Sequence, residues 1–131
     1  MNFYELWEAI GNGLPATLYH VTSPDRLDAI QMQGLKYRLP SQSRHYDLND
    51  GICLALHKAS AITYGAGQER RHGGQVALLT VHTEHLDPHL MSPDPNLLRC
   101  YIYKGDIPAT EFTTELVSVE QFWKQYQPEE P

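Results

Sequence analysis

The chain has few cysteines, a shortage of basic residues and no long apolar run, and each shortage excludes a class of protein. Its two cysteines, Cys53 and Cys100, lie far apart without metal-type spacing, so we expect reduced thiols rather than a disulfide scaffold or a structural zinc site. Ten basic residues against sixteen acidic ones give a formal net charge of -6, which disfavours nucleic acid as a partner. The longest apolar run, Val76-Ala77-Leu78-Leu79, is far shorter than the ~20 residues that cross a bilayer.

What is present is the composition of one ordinary folded domain. Hydrophobic residues make up 41% of the 131 residues and aromatic residues 10%, which is enough to bury a core and too apolar for intrinsic disorder. The N-terminus also lacks the basic and then apolar plan of a signal peptide. We therefore expect a single domain over residues 1–131, located in the cytoplasm, with no membrane partner and no metal.

The most informative stretch of the sequence surrounds His20. Apolar, aromatic and β-branched residues at 18–22 predict a strand. Ser23 and Pro24 are typical of the first positions of a helix, and Gly34 is suited to the left-handed conformation that ends one. His20 is therefore predicted at a strand end, where ligand clefts tend to open.

The remaining pattern predicts more strands than helices. Four further strands are expected at 52–56, 75–83, 98–104 and 111–117. Helices are expected at 2–10, at 57–64 and from Ser118, where Gln121 completes a capping box. Residues 36–50 are predicted to form a long loop, and prolines keep 85–96 irregular. Because the helices are not interleaved regularly with the strands, the fold class is α+β rather than a doubly wound parallel sheet.

Three motifs follow one another within residues 16–117. The first is Tyr19-His20-Val21-Thr22-Ser23, and the second is Gly51-Ile52-Cys53-Leu54-Ala55 with Lys58-Ala59-Ser60-Ala61-Ile62-Thr63-Tyr64. The third is Cys100-Tyr101-Ile102-Tyr103, followed by Ile107-Pro108. In order and spacing they resemble the ADP-ribosyltransferase superfamily, and the layout is most similar to the poly(ADP-ribose) polymerases. That family has a His-Gly-Ser/Thr strand, a Gly-Ile-Tyr-Phe-Ala strand with a Lys-Ser-Ala-x-Tyr helix, and a strand that begins with the catalytic glutamate.

The resemblance implies a fold, a cofactor and a set of binding residues. The fold would be a mostly antiparallel split sheet with short helices, and NAD would bind as substrate in a folded shape. His20 would hydrogen-bond a ribose hydroxyl, Tyr64 would stack on nicotinamide, and Ser60 would add a polar contact. With Val21 and Thr22 these residues form the implied cofactor-binding set. The implied activity is transfer of ADP-ribose to a macromolecule, or hydrolysis of NAD.

The sequence departs from the family pattern at the catalytic glutamate. That position falls on Arg99 or Cys100, and neither side chain is a carboxylate. Another acid is therefore required if the chain is an enzyme. Glu111 and Glu115 on the following strand are the predicted catalytic residues, and Asp94 on the preceding loop is a further candidate.

Two other functions remain open at this point. The first is a non-catalytic binding module that keeps the fold to recognise a partner protein. The second is an activity similar to that of the RNA 2'-phosphotransferases, which hold a phosphate with histidine and arginines rather than with a glutamate. His20, Arg44 and Arg99 would then carry the chemistry, because Ser43-Arg44-His45 faintly resembles the Arg-x-His segment of that family.

Overall fold

The computed structural model describes residues 14–37, 51–65, 73–95 and 97–126, and these residues form an α+β fold. Six strands form one sheet with the spatial order β4-β5-β2-β1-β3-β6, and every pairing between them is antiparallel. The strands are β1 (Thr17–Thr22), β2 (Ile52–Ala55), β3 (Gln75–His82), β4 (Met91–Pro93), β5 (Cys100–Tyr103) and β6 (Phe112–Ser118). The α-helices are α1 (Leu27–Gln33), α2 (Lys58–Tyr64) and α3 (Val119–Gln125).

The sheet consists of two well-paired halves that meet at a narrow seam. In one half, β1 pairs with β3 over all six of its residues, and β3 pairs in turn with β6. In the other half, β2 pairs with β5, and β5 pairs with β4. Between β1 and β2 the register of the described residues consists of the single pair Tyr19 and Ala55. The antiparallel sheet is thus nearly divided in two at its centre.

Both faces of the central strands are buried, which explains the nearly continuous apolar sequence of β3. On one face, Leu18, Leu54 and Leu79 pack with Ile30 of α1 in the larger core cluster. On the opposite face, Leu78 packs with Ala61 of α2 in a smaller cluster. A strand covered on both sides has apolar residues on both faces, so β3 does not show the alternation of apolar and polar residues that a half-exposed strand shows.

Local signals in the sequence account for several element ends. The Ser118 side chain accepts a hydrogen bond from the Gln121 amide at 3.3 Å, which confirms the predicted cap of α3. Pro24 starts a short 3-10 helix, Pro24–Arg26, which continues into α1. Gly34 follows α1 with the predicted positive φ of 78°, but its ψ of -178° is not that of a left-handed helix. It leads the chain directly into the bridge between Leu35 and Ile107.

The sequence missed one strand. Residues 85–96 were expected to be irregular, yet Met91–Pro93 forms β4 on the edge of the sheet. A three-residue strand is too short to show a period, and its proline is tolerated because an edge strand has no second partner. The predicted helix at 2–10 and most of the predicted loop at 36–50 lie outside the described residues. In the described part of the chain, no helix is long and apolar enough to cross a membrane.

Candidate functional site

The seam between β1 and β2 creates an opening in the middle of the sheet. The Thr83 amide donates to the Ala16 carbonyl at 3.1 Å, so the backbone groups of Ala16 point toward β3. Because backbone direction alternates along a strand, the amides and carbonyls of Tyr19 and Val21 point toward β2 instead. Tyr19 forms the single register pair there, and the Val21 backbone faces the opening beyond it.

His20 reaches across this opening. Its Nδ1 lies 2.8 Å from the Cys53 carbonyl oxygen on β2. A carbonyl can only accept, so Nδ1 carries a proton and donates it to the Cys53 carbonyl. The contact fixes the ring orientation at the point where the two halves of the sheet separate. Thr22, the last implied cofactor residue on β1, is 5% exposed and lies in the core.

The helix α2 covers the opening on one face. Its last turn ends at Gly65, where a Cβ atom would collide with the Val21 side chain. Ser60 and Tyr64 are four residues apart and so share one side of the helix. The Tyr64 hydroxyl donates to the Leu98 carbonyl at 3.2 Å, while the residue stays 43% exposed. The ring therefore bridges α2 and the loop before β5 and still presents surface to solvent.

A group of titratable side chains surrounds Tyr64. Desolvation raises the pKa of the Tyr64 phenol, and negative charge on Cys100, Cys53 and Asp94 raises it further, whereas Arg99 acts in the opposite direction. Cys53 thus belongs to both parts of the site. Its backbone carbonyl accepts a hydrogen bond from His20, and the charge of its side chain raises the pKa of Tyr64. The structure brings these side chains together from β2, α2 and the residues just before and at the start of β5, whereas the His20 side chain lies on the opposite face of the sheet and meets this group through the Cys53 carbonyl.

Asp94 is a buried acid at the edge of this group. It is 6% exposed, its amide donates to the Cys100 carbonyl at 2.9 Å, and its Oδ1 accepts the Leu97 amide at 3.2 Å. These contacts hold the carboxylate beside the first residue of β5. That first residue, Cys100, is fully buried, and Arg99 before it has a positive φ of 60°. The start of β5 therefore carries a buried thiol after an arginine, with the Asp94 carboxylate next to it.

The two glutamates predicted to be catalytic lie elsewhere. Both carboxylate oxygens of Glu111 are 3.1 Å from Nδ1 of His85, just before β6. Glu115 pairs with Leu78 in the register, whereas His20 pairs with Leu79. Neighbouring residues on a strand point to opposite faces, so Glu115 lies on the face opposite His20. Glu115 therefore shares the face that α2 covers, but neither glutamate is among the charged groups that shift the pKa of Tyr64.

Glu115 instead lines a separate pocket of about 330 Å³ on the β6 side of α2. The pocket is bounded by α3 and by the start of α2. Its lining residues are Lys58, Leu78, Glu115, Leu116, Val117, Ser118, Gln121, Phe122 and Gln125. None of the side chains that surround Tyr64 contributes to it.

The described residues also bear on metal binding and on Arg44 and Arg99, the two arginines of the alternative that resembles the RNA 2'-phosphotransferases. Over 14–37, 51–65, 73–95 and 97–126, no three histidine, cysteine or acidic side chains form a group that could hold a metal ion. Arg44 lies outside the described residues, so its position relative to His20 and Arg99 stays a prediction. The proximity of Cys53 and Cys100 was not predicted, because it depends on the pairing of β2 with β5.

No protein-family model matches the chain, and no curated protein is significantly similar to it.

Proposed function

We propose that this chain is an ADP-ribosyltransferase-like domain that binds NAD at the opening between β1 and β2. One observation carries the proposal. The three motifs that resemble the family lie on β1, on β2 with α2, and on β5, and these strands are consecutive neighbours in the sheet order. Segments separated by more than twenty-five residues thus lie side by side in the sheet next to the opening, which supports a shared cofactor site.

The groups at the opening fit the parts of the cofactor. The Val21 backbone offers an amide and a carbonyl to the nicotinamide carboxamide. The Tyr64 ring, 43% exposed, offers a stacking surface worth on the order of 0.5–1.5 kcal/mol beyond area burial. His20, held by Cys53, offers a fixed imidazole to a ribose hydroxyl.

The reaction also needs a negative group near the sugar, and the geometry favours Asp94 among the three candidate acids. The glycosidic bond between ribose C1' and nicotinamide breaks, and nicotinamide leaves with the electron pair. A water or hydroxyl oxygen then bonds to C1' and releases its proton. A preorganised carboxylate stabilises the positive charge that develops on the ribose. Asp94 fits this role best because its charge raises the pKa of Tyr64, which means that the carboxylate lies near the ring. Glu111 and Glu115 are not among the groups that shift that pKa.

The direct test is a thermal-shift titration with NAD on the wild-type protein and on His20→Ala. Binding stabilises the folded state by about 2.7 kcal/mol at a hundredfold excess of ligand over Kd, so we expect a rise in melting temperature for the wild type. His20→Ala should lose that rise. His89→Ala, which changes a 94% exposed histidine outside the site, is the matched control and should keep it. No shift of the wild-type protein at millimolar NAD would contradict the proposal.

A second candidate is a non-catalytic binding module on the same fold. It is favoured by the fact that both Nδ1 of His20 and the Tyr64 hydroxyl are bonded to backbone carbonyls, and by the thiol at the start of β5. Nicotinamide release separates the two functions. A folded protein that shows no thermal shift with NAD and releases no nicotinamide favours the module that recognises a partner protein.

A further inference from the structure

The two cysteines occupy diagonal positions on neighbouring strands. Cys53 on β2 pairs with Ile102, and Cys100 on β5 pairs with Ala55. Side chains two residues apart share a face, so the two thiols lie on the same face of the sheet, one diagonal step apart. Cys100 belongs to the smaller core cluster with Ala55 and Ala61, and Cys53 packs against that cluster. Neither cysteine forms a disulfide in this structure.

The two thiols differ in access and in proton affinity. Cys53 is half-buried, whereas Cys100 is fully buried. The pKa of Cys100 is raised, first by its hydrogen bond with the Cys53 side chain and then by desolvation. Cys100 is therefore the harder of the two to deprotonate, and Cys53 is the thiol of the pair that an oxidant meets first.

We propose that Cys53 and Cys100 form an oxidation site that takes a small neutral hydroperoxide and closes as an intramolecular disulfide. The Cys53 sulfur attacks the peroxide oxygen, the O–O bond breaks, and an alcohol or water leaves while Cys53 becomes a sulfenic acid. The Cys100 sulfur then attacks the Cys53 sulfur, the S–S bond forms as the S–O bond breaks, and the departing hydroxide takes up the Cys100 thiol proton and leaves as water. Two thiols lose two electrons and two protons, which the hydroperoxide takes up.

The charges near the two cysteines determine which class of oxidant is favoured, and the weak attachment of β2 to β1 favours closure of the disulfide. The net charge of -6 and the nearby Asp94 disfavour an anionic oxidant such as glutathione disulfide. A diagonal pair has its Cα atoms about 7–8 Å apart, slightly beyond the ~4.4–6.8 Å of a disulfide. The strand β2 must therefore slide slightly along β5, because the excess distance of a diagonal pair lies along the strand axis. The single register pair with β1 is the weakest attachment of β2 and opposes this movement least.

The test is oxidation of the wild-type protein with hydrogen peroxide, followed by intact mass measurement and tryptic mapping without reduction. We expect the loss of two hydrogen atoms and a disulfide that joins peptide 45–58 to peptide 100–104. The Cys100→Ser variant should instead gain oxygen at Cys53, because no second thiol can resolve the sulfenic acid. In the Cys53→Ser variant the peptide 100–104 should stay unoxidised, because Cys100 is fully buried.

Wild-type protein that gains oxygen at Cys53 without forming the linked peptides would overturn the proposal, as would disulfides found only between chains on a non-reducing gel; oxygen gained at the exposed Met32 is mapped separately. If either serine variant fails to fold, the wild-type peptide map decides the question alone, since the linked peptides are either present or absent. The outcome does not depend on NAD, so it stands or falls separately from the proposed function.

Discussion

At the scale of single residues, Asp94 carries the most information. A carboxylate that is 6% exposed costs folding free energy unless nearby groups compensate for it, and such groups are concentrated at functional sites. One oxygen of Asp94 accepts the Leu97 amide, which fixes the carboxylate beside Cys100. Asparagine can make the same contact through its amide oxygen, so Asp94→Asn removes the charge and leaves the turn in place.

We expect Asp94→Asn to abolish nicotinamide release and to leave the NAD-induced thermal shift intact, because the lost charge acts on the transition state rather than on binding. Asp28→Asn, an exposed change on α1, is the control and should behave as the wild type. The same loss in Glu115→Gln, with Asp94→Asn still active, would assign the role to Glu115 instead.

The Asp94 charge also predicts a pH effect that needs no ligand. Negative charge nearby disfavours the phenolate, and Asp94 is one of the groups that raise the pKa of Tyr64. Asp94→Asn should therefore lower the pKa of Tyr64. Ultraviolet absorbance of the phenolate between neutral and strongly alkaline pH measures this, with Tyr64→Phe to identify the signal. An unchanged titration curve would place Asp94 outside the Tyr64 environment.

At the scale of elements, the position of α2 over β1 depends on one close approach. Gly65 at the end of α2 has a φ of -89°, which any residue adopts, so only the space occupied by Val21 excludes a side chain. The family resemblance expects glycine where Val21 stands. Val21 on β1 and Gly65 on α2 are therefore complementary in size, because the absent side chain of Gly65 leaves the space that the Val21 side chain fills.

We expect Gly65→Ala to destabilise the fold by about 1–3 kcal/mol, the usual cost of overpacking. Val21→Ala should relieve much of that cost when the two changes are combined, because it removes the atoms that collide with the new Cβ. Denaturant unfolding of the two single variants and the double variant measures the coupling. Strictly additive effects would show that Gly65 and Val21 do not contact each other.

At the scale of the whole molecule, the buried central strands provide most of the stability. Leu79 is fully buried in the larger cluster, so Leu79→Ala should cost about 2–5 kcal/mol. Leu116 on β6 is 51% exposed, and the same change there should cost far less. Thermal or chemical unfolding compares the two, and equal effects would contradict the described core.

The sequence predicts the elements of this molecule better than their arrangement. The strands around His20, Cys53 and Leu79 were found from their composition, within one or two residues of their ends. Pairing register could not be found, because it depends on contacts between distant segments. For that reason the sequence missed the contact of Cys53 with Cys100 and could not assign Glu115 to a face.

The near-division of the sheet also limits how the chain can be cut. One half is built from β1, β3 and β6, and the other from β2, β4 and β5, so the two halves alternate along the sequence. Any single cleavage between β1 and β6 leaves strands of at least one half on both fragments. The halves therefore cannot be expressed as separate pieces, and a nicked chain should run as one particle until a denaturant separates the fragments.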